Sequence, residues 1–282
     1  MIKLGDYNTL KISRKSDYGL FLDGGDDTGD ILLPNAYVTR DMRIGQDIEV
    51  FLYLDQQERL TATTEHPMAV VGQFACLEVA WTNQYGAFLA WGLQKDLFCP
   101  FREQKQRMER GRSYIVYITE DPETHRLMAT AKVDRHLEPC TTDNLQDMKH
   151  GTPVDILVWQ KTDLGFKAIV ENRFQGQIYD NQIFRHLTTG DRLTAYVDHI
   201  RQDGKIDLTL QATGHAHTLD FADTLLEHIR HSGGHCELGD KSAAELIYGR
   251  FGVSKKTYKK AIGDLYRRRL ITIAEDGSLH LV

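Results

Sequence analysis

Three short stretches set aromatic rings beside a glycine at matching positions. They are Asp17-Tyr18-Gly19-Leu20-Phe21-Leu22, Gln84-Tyr85-Gly86-Ala87-Phe88-Leu89 and, more loosely, Asp163-Leu164-Gly165-Phe166-Lys167-Ala168. Rings exposed on a strand stack on unpaired bases of any identity, each base contributing about 1–3 kcal/mol. Lysines and arginines beside them meet phosphates and add a salt-dependent attraction. The basic component is densest near the end of the chain, where residues 250–269 hold eight Lys and Arg and one acid, Asp264. This run contains Lys255, Lys256, Lys259, Lys260, Arg267 and Arg268, on a segment with helical periodicity. The competing use of these residues is structural: the rings pack within or between β units, and the charge run is a solvated helix face.

Other chemistries find less support. His215, His217, His228, His231 and His235, with Cys236, straddle a linker, a helix and a Gly-Gly turn and match no zinc-ligand spacing. Cys76, Cys99, Cys140 and Cys236 form no Cys-x-x-Cys pair, so a reducing cytoplasm is the expected compartment. Asp26-Asp27 and Glu120-Asp121 read as solvated turns. The chain has no phosphate-binding loop, nucleophile elbow or dinucleotide fingerprint. No enzyme activity, cofactor or metal is expected. No apolar run approaches the roughly 20 residues of a membrane span, and the first residues do not form a signal peptide. The net charge of −6 in 282 residues lies mostly at the front.

The elements that carry these residues repeat. Each motif glycine is followed, 26, 25 and 25 residues on, by a second glycine: Gly45, Gly111 and Gly190. An alternating strand, a polar turn and a closing strand come next. In the middle copy Cys76–Ala80 alternates as a strand. Gly86 is expected to bulge the following strand and bring Tyr85 and Phe88 onto one face. Asp96–Pro100 is a third strand, Phe101–Glu109 a short helical connection, Tyr114–Ile118 a fourth strand and Arg126–Thr130 a fifth. Five short strands with a connector between the third and fourth fit an OB-fold barrel. The first copy supplies Ile31–Pro34, Ile48–Leu52 and Leu60–Thr63. The third supplies Gln177–Tyr179, Leu193–Val197 and Ile206–Leu210, with an Asp-Gly hairpin signal at Asp203-Gly204. Function is then expected on module surfaces, not in one catalytic core.

After residue 215 the period becomes helical, with Leu219, Ala222, Leu225, Leu226 and Ile229 on one face. Gly233-Gly234 stops this helix, and Ser242-Ala243-Ala244-Glu245 resembles a capping box for a second. Ser254 caps a third, with Tyr258, Ala261, Ile262, Leu265 and Tyr266 as its apolar face. A hairpin turning at Asp276-Gly277 closes the chain. This is the plan of a winged helix-turn-helix with Ser254–Arg269 as the recognition-type helix. The expected organisation is mainly β with a C-terminal α+β unit: barrels over 1–64, 65–140 and 141–213, and a winged helix over 214–282.

The Tyr-Gly-x-Phe strand, the later glycine-led strand and the Asp55…Arg59 turn resemble S1-type RNA-binding domains. Three such modules followed by a winged helix resemble the conserved virulence factor B (CvfB, YitL-like) family of bacterial RNA-binding proteins. The likeness is carried by Asp30–Pro34, Asp96–Phe101, Thr162–Lys167 and Ile200–Leu208. It implies RNA-contacting residues at Tyr18, Phe21, Asp55 and Arg59 in the first module. In the second it implies Tyr85, Phe88 and Asp121, with His125 or Arg126 in the arginine's place. In the third, Leu164 replaces the tyrosine and Lys167 the phenylalanine; Phe166, Tyr179, Arg201 and Lys205 stand in. The third-strand histidine usual in such domains is missing from the first two modules.

The expected partner is single-stranded RNA, bound by stacking on barrel aromatics and by basic contacts to phosphate, in a cytoplasmic regulator of gene expression. The third module and the winged helix are expected to dominate, because the basic residues cluster there. Two alternatives are a DNA-binding transcription regulator that uses the winged helix and a protein-interaction scaffold. Neither the alternatives nor the RNA reading involves a membrane.

Overall fold

The computed structural model of the chain describes residues 2–55, 57–141, 148–180, 183, 186–210 and 215–282, with 215–220 as backbone alone. The chain divides into two compact units, Met1–His136 and Leu137–Val282.

The first unit holds two closed five-stranded barrels. Barrel 1 comprises β1 (Tyr7–Ser16), β2 (Gly19–Asp23), β3 (Asp30–Pro34), β4 (Asp47–Leu54) and β5 (Leu60–Thr63). Barrel 2 comprises β6 (Phe74–Thr82), β7 (Gly86–Ala90), β8 (Leu97–Pro100), β9 (Ser113–Glu120) and β10 (Leu127–Thr130). The second unit opens with barrel 3: β11 (Pro153–Thr162), β12 (Gly165–Val170), β13 (Phe174–Tyr179), β14 (Arg192–Ile200) and β15 (Ile206–Thr209). All three close in one order, first-second-third-fifth-fourth, with the third and fifth strands parallel. That is OB-fold topology. Of the expected connection over Phe101–Glu109, only the 3-10 turn Phe101–Glu103 is helical.

Glycines make the repeat, though not as a bulge in the second strand. Gly19, Gly86 and Gly165 open β2, β7 and β12. A Cβ there would drive into a backbone carbonyl of the neighbouring strand, that of Leu33, Cys99 or Ile178. The bulge lies on the preceding strand: the register slips between Ile12 and Arg14, Val79 and Trp81, and Val158 and Gln160. The second glycine of each module secures it. Gly45, Gly111 and Gly190, all at positive φ, donate their N–H to the carbonyls of Ile12, Val79 and Val158 at 2.8, 2.9 and 2.8 Å.

Each barrel is filled by its inward-facing row, such as Ile12, Leu22, Leu33 and Leu52 in barrel 1. Phe51 points out of barrel 1 and is buried in the core of barrel 2, edge-on to Trp91 at 5.7 Å. Burying a side chain of this size removes about 1.5–3 kcal/mol of apolar exposure, so the two barrels share a hydrophobic seam.

The C-terminal part comprises α1 (His215–His231), β16 (His235–Cys236), α2 (Ala244–Phe251), α3 (Lys255–Arg267), β17 (Ile271–Ile273) and β18 (Leu279–Leu281). Its sheet runs β16–β18–β17, so the wing has a third strand that lay unread between the helices. Ser254 caps α3, accepting from the Thr257 N–H at 3.1 Å. Ser242 does not cap α2: its hydroxyl accepts from the Gly239 N–H at 2.9 Å, and the cap residue is Ala243. Tyr258 is fully buried and donates its hydroxyl to the Leu238 carbonyl at 2.7 Å. Tyr266, expected on the apolar face, is 56% exposed. The expected boundary at Thr213-Gly214 and the side chains of His215, His217 and Leu219 lie outside the described residues. No described helix is long and apolar enough to cross a membrane.

Candidate nucleic-acid interface

The bulge in β6 controls the chemistry of barrel 2. Regular alternation from the buried Val79 would turn Trp81 inward. The extra residue resets the phase, so Trp81 pairs with Phe88 and both rings point outward. Phe88 pairs in turn with Phe98 on β8. The Trp81 and Phe88 rings stack with centroids 3.6 Å apart and planes 4° from parallel, and Phe98 lies 4.9 Å from Phe88, tilted by 38°. The Trp81 indole N–H donates to the Asp96 carboxylate at 2.9 Å, and the ring is 43% exposed. Tyr85 sits in the turn before β7, 65% exposed. Its carbonyl accepts from the Phe101 N–H at 3.1 Å, and the Arg107 guanidinium lies 3.4 Å over the Phe101 ring. Phe88 and Tyr85 thus both reach the surface, but the strand that bulges is β6.

The expected basic partner in barrel 2 is elsewhere. Arg126 pairs with Glu58 of barrel 1 at 3.0 Å, across the seam. Asp121 is held by Arg102, at 2.8 Å. Backbone N–H bonds from Glu123 and Thr124, together with Arg102, hold the Asp121 carboxyl below the usual carboxylate range. His125, in a positive-φ conformation, bonds Glu120.

Barrel 1 repeats the arrangement with other side chains. Arg14 takes the position of Trp81. Its guanidinium covers Phe21 at 3.6 Å and donates to Asp30 at 2.9 Å. Tyr18 stands free of the barrel, 77% exposed. Arg59 clamps its own turn, its fork closing on Asp55 at 2.8 and 2.6 Å. Burial pushes the Asp55 carboxyl up, but the Arg59 side chain and the turn N–H groups outweigh it and hold it low.

Barrel 3 departs from the expectation. Phe166 does not offer its ring at the surface: it is 8% exposed and belongs to the barrel core, because it pairs with the inward Ile178. Lys167 faces out, 5.3 Å over the Trp159 ring. The position of the barrel 2 ring row is therefore held by Gln160 and Lys167 at the surface and by the buried Gln177, without an aromatic ring. Tyr179 and Arg201 do meet, the guanidinium donating to the phenol oxygen, but Arg201 also donates to Asp207 at 2.9 Å. Lys205 is engaged by Asp203 at 2.7 Å. The turn cations of this barrel are neutralised within the turn.

On α3 the basic residues divide between faces. Lys255 reaches the Lys241 carbonyl at 3.4 Å, and Lys259 lies 3.9 Å from Asp240. Arg268 turns back onto Asp223 and Asp264, at 3.2 and 3.3 Å. Lys256, Lys260 and Arg267 are exposed on one stripe, with Gly263 between them and Tyr266 at its flank. Lys256 and Lys260 make no hydrogen bond or ion pair with any described residue, and Arg267 donates only to the Gly263 carbonyl.

Sequence reasoning missed Trp81, Phe98, Asp96 and Arg102. A signal for the first was present: Arg14, Trp81 and Gln160 each stand five residues before the motif glycine. Among the described residues no group of three or more His, Cys, Asp or Glu is arranged to hold a metal.

Two family models match the first barrel and the C-terminal unit. Residues 4–65 match the S1 domain family, and residues 223–281 match the CvfB-like winged helix domain. The chain is 28% identical to YitL of Bacillus subtilis over 93% of its own length and 89% of that protein. It is 20% identical to conserved virulence factor B of Staphylococcus saprophyticus over 86% of its length and 81% of that protein. A crystal structure from Streptococcus pneumoniae, of a multidomain protein with nucleic acid binding domains, aligns with 99% of this chain and 98% of its own at 21% identity, with a TM-score of 0.42.

Proposed function

We propose that this chain is a member of the conserved virulence factor B and YitL-like family and binds single-stranded RNA as a non-enzymatic cytoplasmic regulator of gene expression. The observation that carries the reading is the outward aromatic row of barrel 2, held on rigid paired strands beside the exposed Tyr85. Trp81 and Tyr85 are 43% and 65% exposed, so ring surface is left available to a ligand. Unpaired bases gain about 1–3 kcal/mol each by stacking there. The exposed stripe of α3 supplies the phosphate contacts, with attraction that weakens as salt rises. Barrel 2 and α3 then contribute most, in place of barrel 3, whose surface lacks the rings and whose turn cations are already paired. Barrel 1 contributes less, its Phe21 covered by Arg14.

One observation favours a second reading. Lys256, Lys260 and Arg267 lie on the helix that a winged helix-turn-helix presents to duplex DNA. Fluorescence anisotropy with labelled oligouridylate and with a DNA duplex, at matched salt, separates the two. The RNA reading requires tighter binding of the single strand and loss of affinity in Phe88→Ala. Preference for the duplex, with Phe88→Ala unchanged, refutes it.

A further inference from the structure

We infer that Trp81 is the base-accepting surface of barrel 2, with Asp96 as its positioning residue. This inference rests on the RNA reading above and names the contact that performs it.

The argument begins with what Phe88 has left to offer. Its ring is the one that the sequence motif marks for stacking, yet the face toward β6 is already occupied. The indole of Trp81 lies on it at 3.6 Å and 4°, the separation and tilt of two stacked bases. A base arriving from that side meets Trp81 first. Trp81 and Phe88 then form a stacked pair, supported on the far side by the tilted Phe98 ring, and the 43% exposure of Trp81 leaves room for a ligand on it. Indole is also the larger π surface and the better partner for a base.

The ring is held for this use. Stacking alone leaves an indole free to slide and turn in its own plane. The bond from its N–H to Asp96, at 2.9 Å, fixes that orientation. The same carboxylate places a negative charge at the edge of the stacked pair, which repels phosphate and favours approach by the base end of a nucleotide. The position recurs in barrel 1 with different chemistry: Arg14 covers Phe21 and is held by Asp30 at 2.9 Å. In barrel 3 the corresponding residue is Gln160, whose pair is Lys167. One repeated position thus carries a cation, an indole and an amide, and among the described residues the outward group of three rings belongs to barrel 2.

The chain carries its own probe. Of its three tryptophans, Trp91 and Trp159 are buried and Trp81 is exposed. Titration with unlabelled oligouridylate of roughly 12 nucleotides, within the site size of one OB fold, is expected to quench the indole emission. The midpoint should match that from anisotropy with the labelled oligomer. Trp81→Ala weakens binding about fivefold or more, Trp81→Phe recovers part of that loss, and both abolish the quench. Asp96→Ala weakens binding more than Asp96→Asn does, since both remove the charge and only asparagine keeps an acceptor for the indole. The wild-type quench tests the contact even where a variant fails to fold. Binding without a quench, with Trp81→Ala at wild-type affinity, overturns the inference and leaves the RNA reading standing. Failure of the wild-type chain to bind the oligomer overturns both.

Discussion

Neutralising the open stripe of α3 tests whether the winged helix touches phosphate. Lys256 and Lys260 are the lysines to replace, because both are exposed and engaged by no described residue. Lys259 is the poorer choice, lying 3.9 Å from Asp240, so its replacement disturbs a pair within the fold. Each cation that neutralises a phosphate of a single strand contributes about 0.7 to the slope of log affinity against log salt. Removing two therefore flattens the slope by about 1.4. Between about 50 and 200 mM salt, a fourfold change, the affinity of Lys256→Gln/Lys260→Gln should fall about sevenfold less than that of the wild type. Contacts made by the barrels enter both proteins equally and cancel from the difference. The assay is anisotropy with labelled oligouridylate across that salt range. Both lysines lie on the solvent side of α3 and away from Tyr258, Ala261, Ile262 and Leu265, so the thermal unfolding curve should be unchanged. Parallel salt plots for variant and wild type would refute the assignment of α3 to phosphate.

Other expectations concern the fold that holds these surfaces. Gly165→Ala combines φ of +135° with a Cβ driven into the Ile178 carbonyl, and should cost about 3 kcal/mol or more, read from urea unfolding. Gly249→Ala, in the last turn of α2 with open space around it, should stabilise by up to about 1 kcal/mol in the same measurement. The depressed pKa of Asp121 contributes stability that is present above the ordinary carboxylate value of about 3.9 and lost as pH falls through the lower folded value. Thermal unfolding followed from neutral to acid pH should therefore show a shallower acid decline in Asp121→Asn than in the wild type.

The three barrels were legible because close packing admits only glycine at repeated points. Gly19, Gly86 and Gly165 face a carbonyl across the strand, and Gly45, Gly111 and Gly190 need positive φ to anchor the bulge. A third set, Gly5, Gly72 and Gly151, bonds the carbonyls of Leu52, Ile118 and Val197 at 2.8, 2.9 and 2.7 Å and passed unread. The candidate site was less legible, for two physical reasons. A bulge shifts the alternation of the strand that contains it, so assigning it to β7 instead of β6 left Trp81 without a role. Electrostatic pairing depends on side chains distant in sequence: Arg126 meets Glu58, and Arg102 meets Asp121. Phe166 illustrates the limit of motif substitution. An aromatic ring one residue from the expected position lands on the opposite face of the strand.

The most direct test of the account is photo-crosslinking of the whole chain to single-stranded RNA bearing 4-thiouridine, with the crosslinked peptides mapped by mass spectrometry. The account predicts adducts on the peptides containing Trp81 to Phe88 and Phe98, and on those spanning α3. Adducts confined to barrel 3 or to barrel 1, with those peptides unmodified, would contradict it.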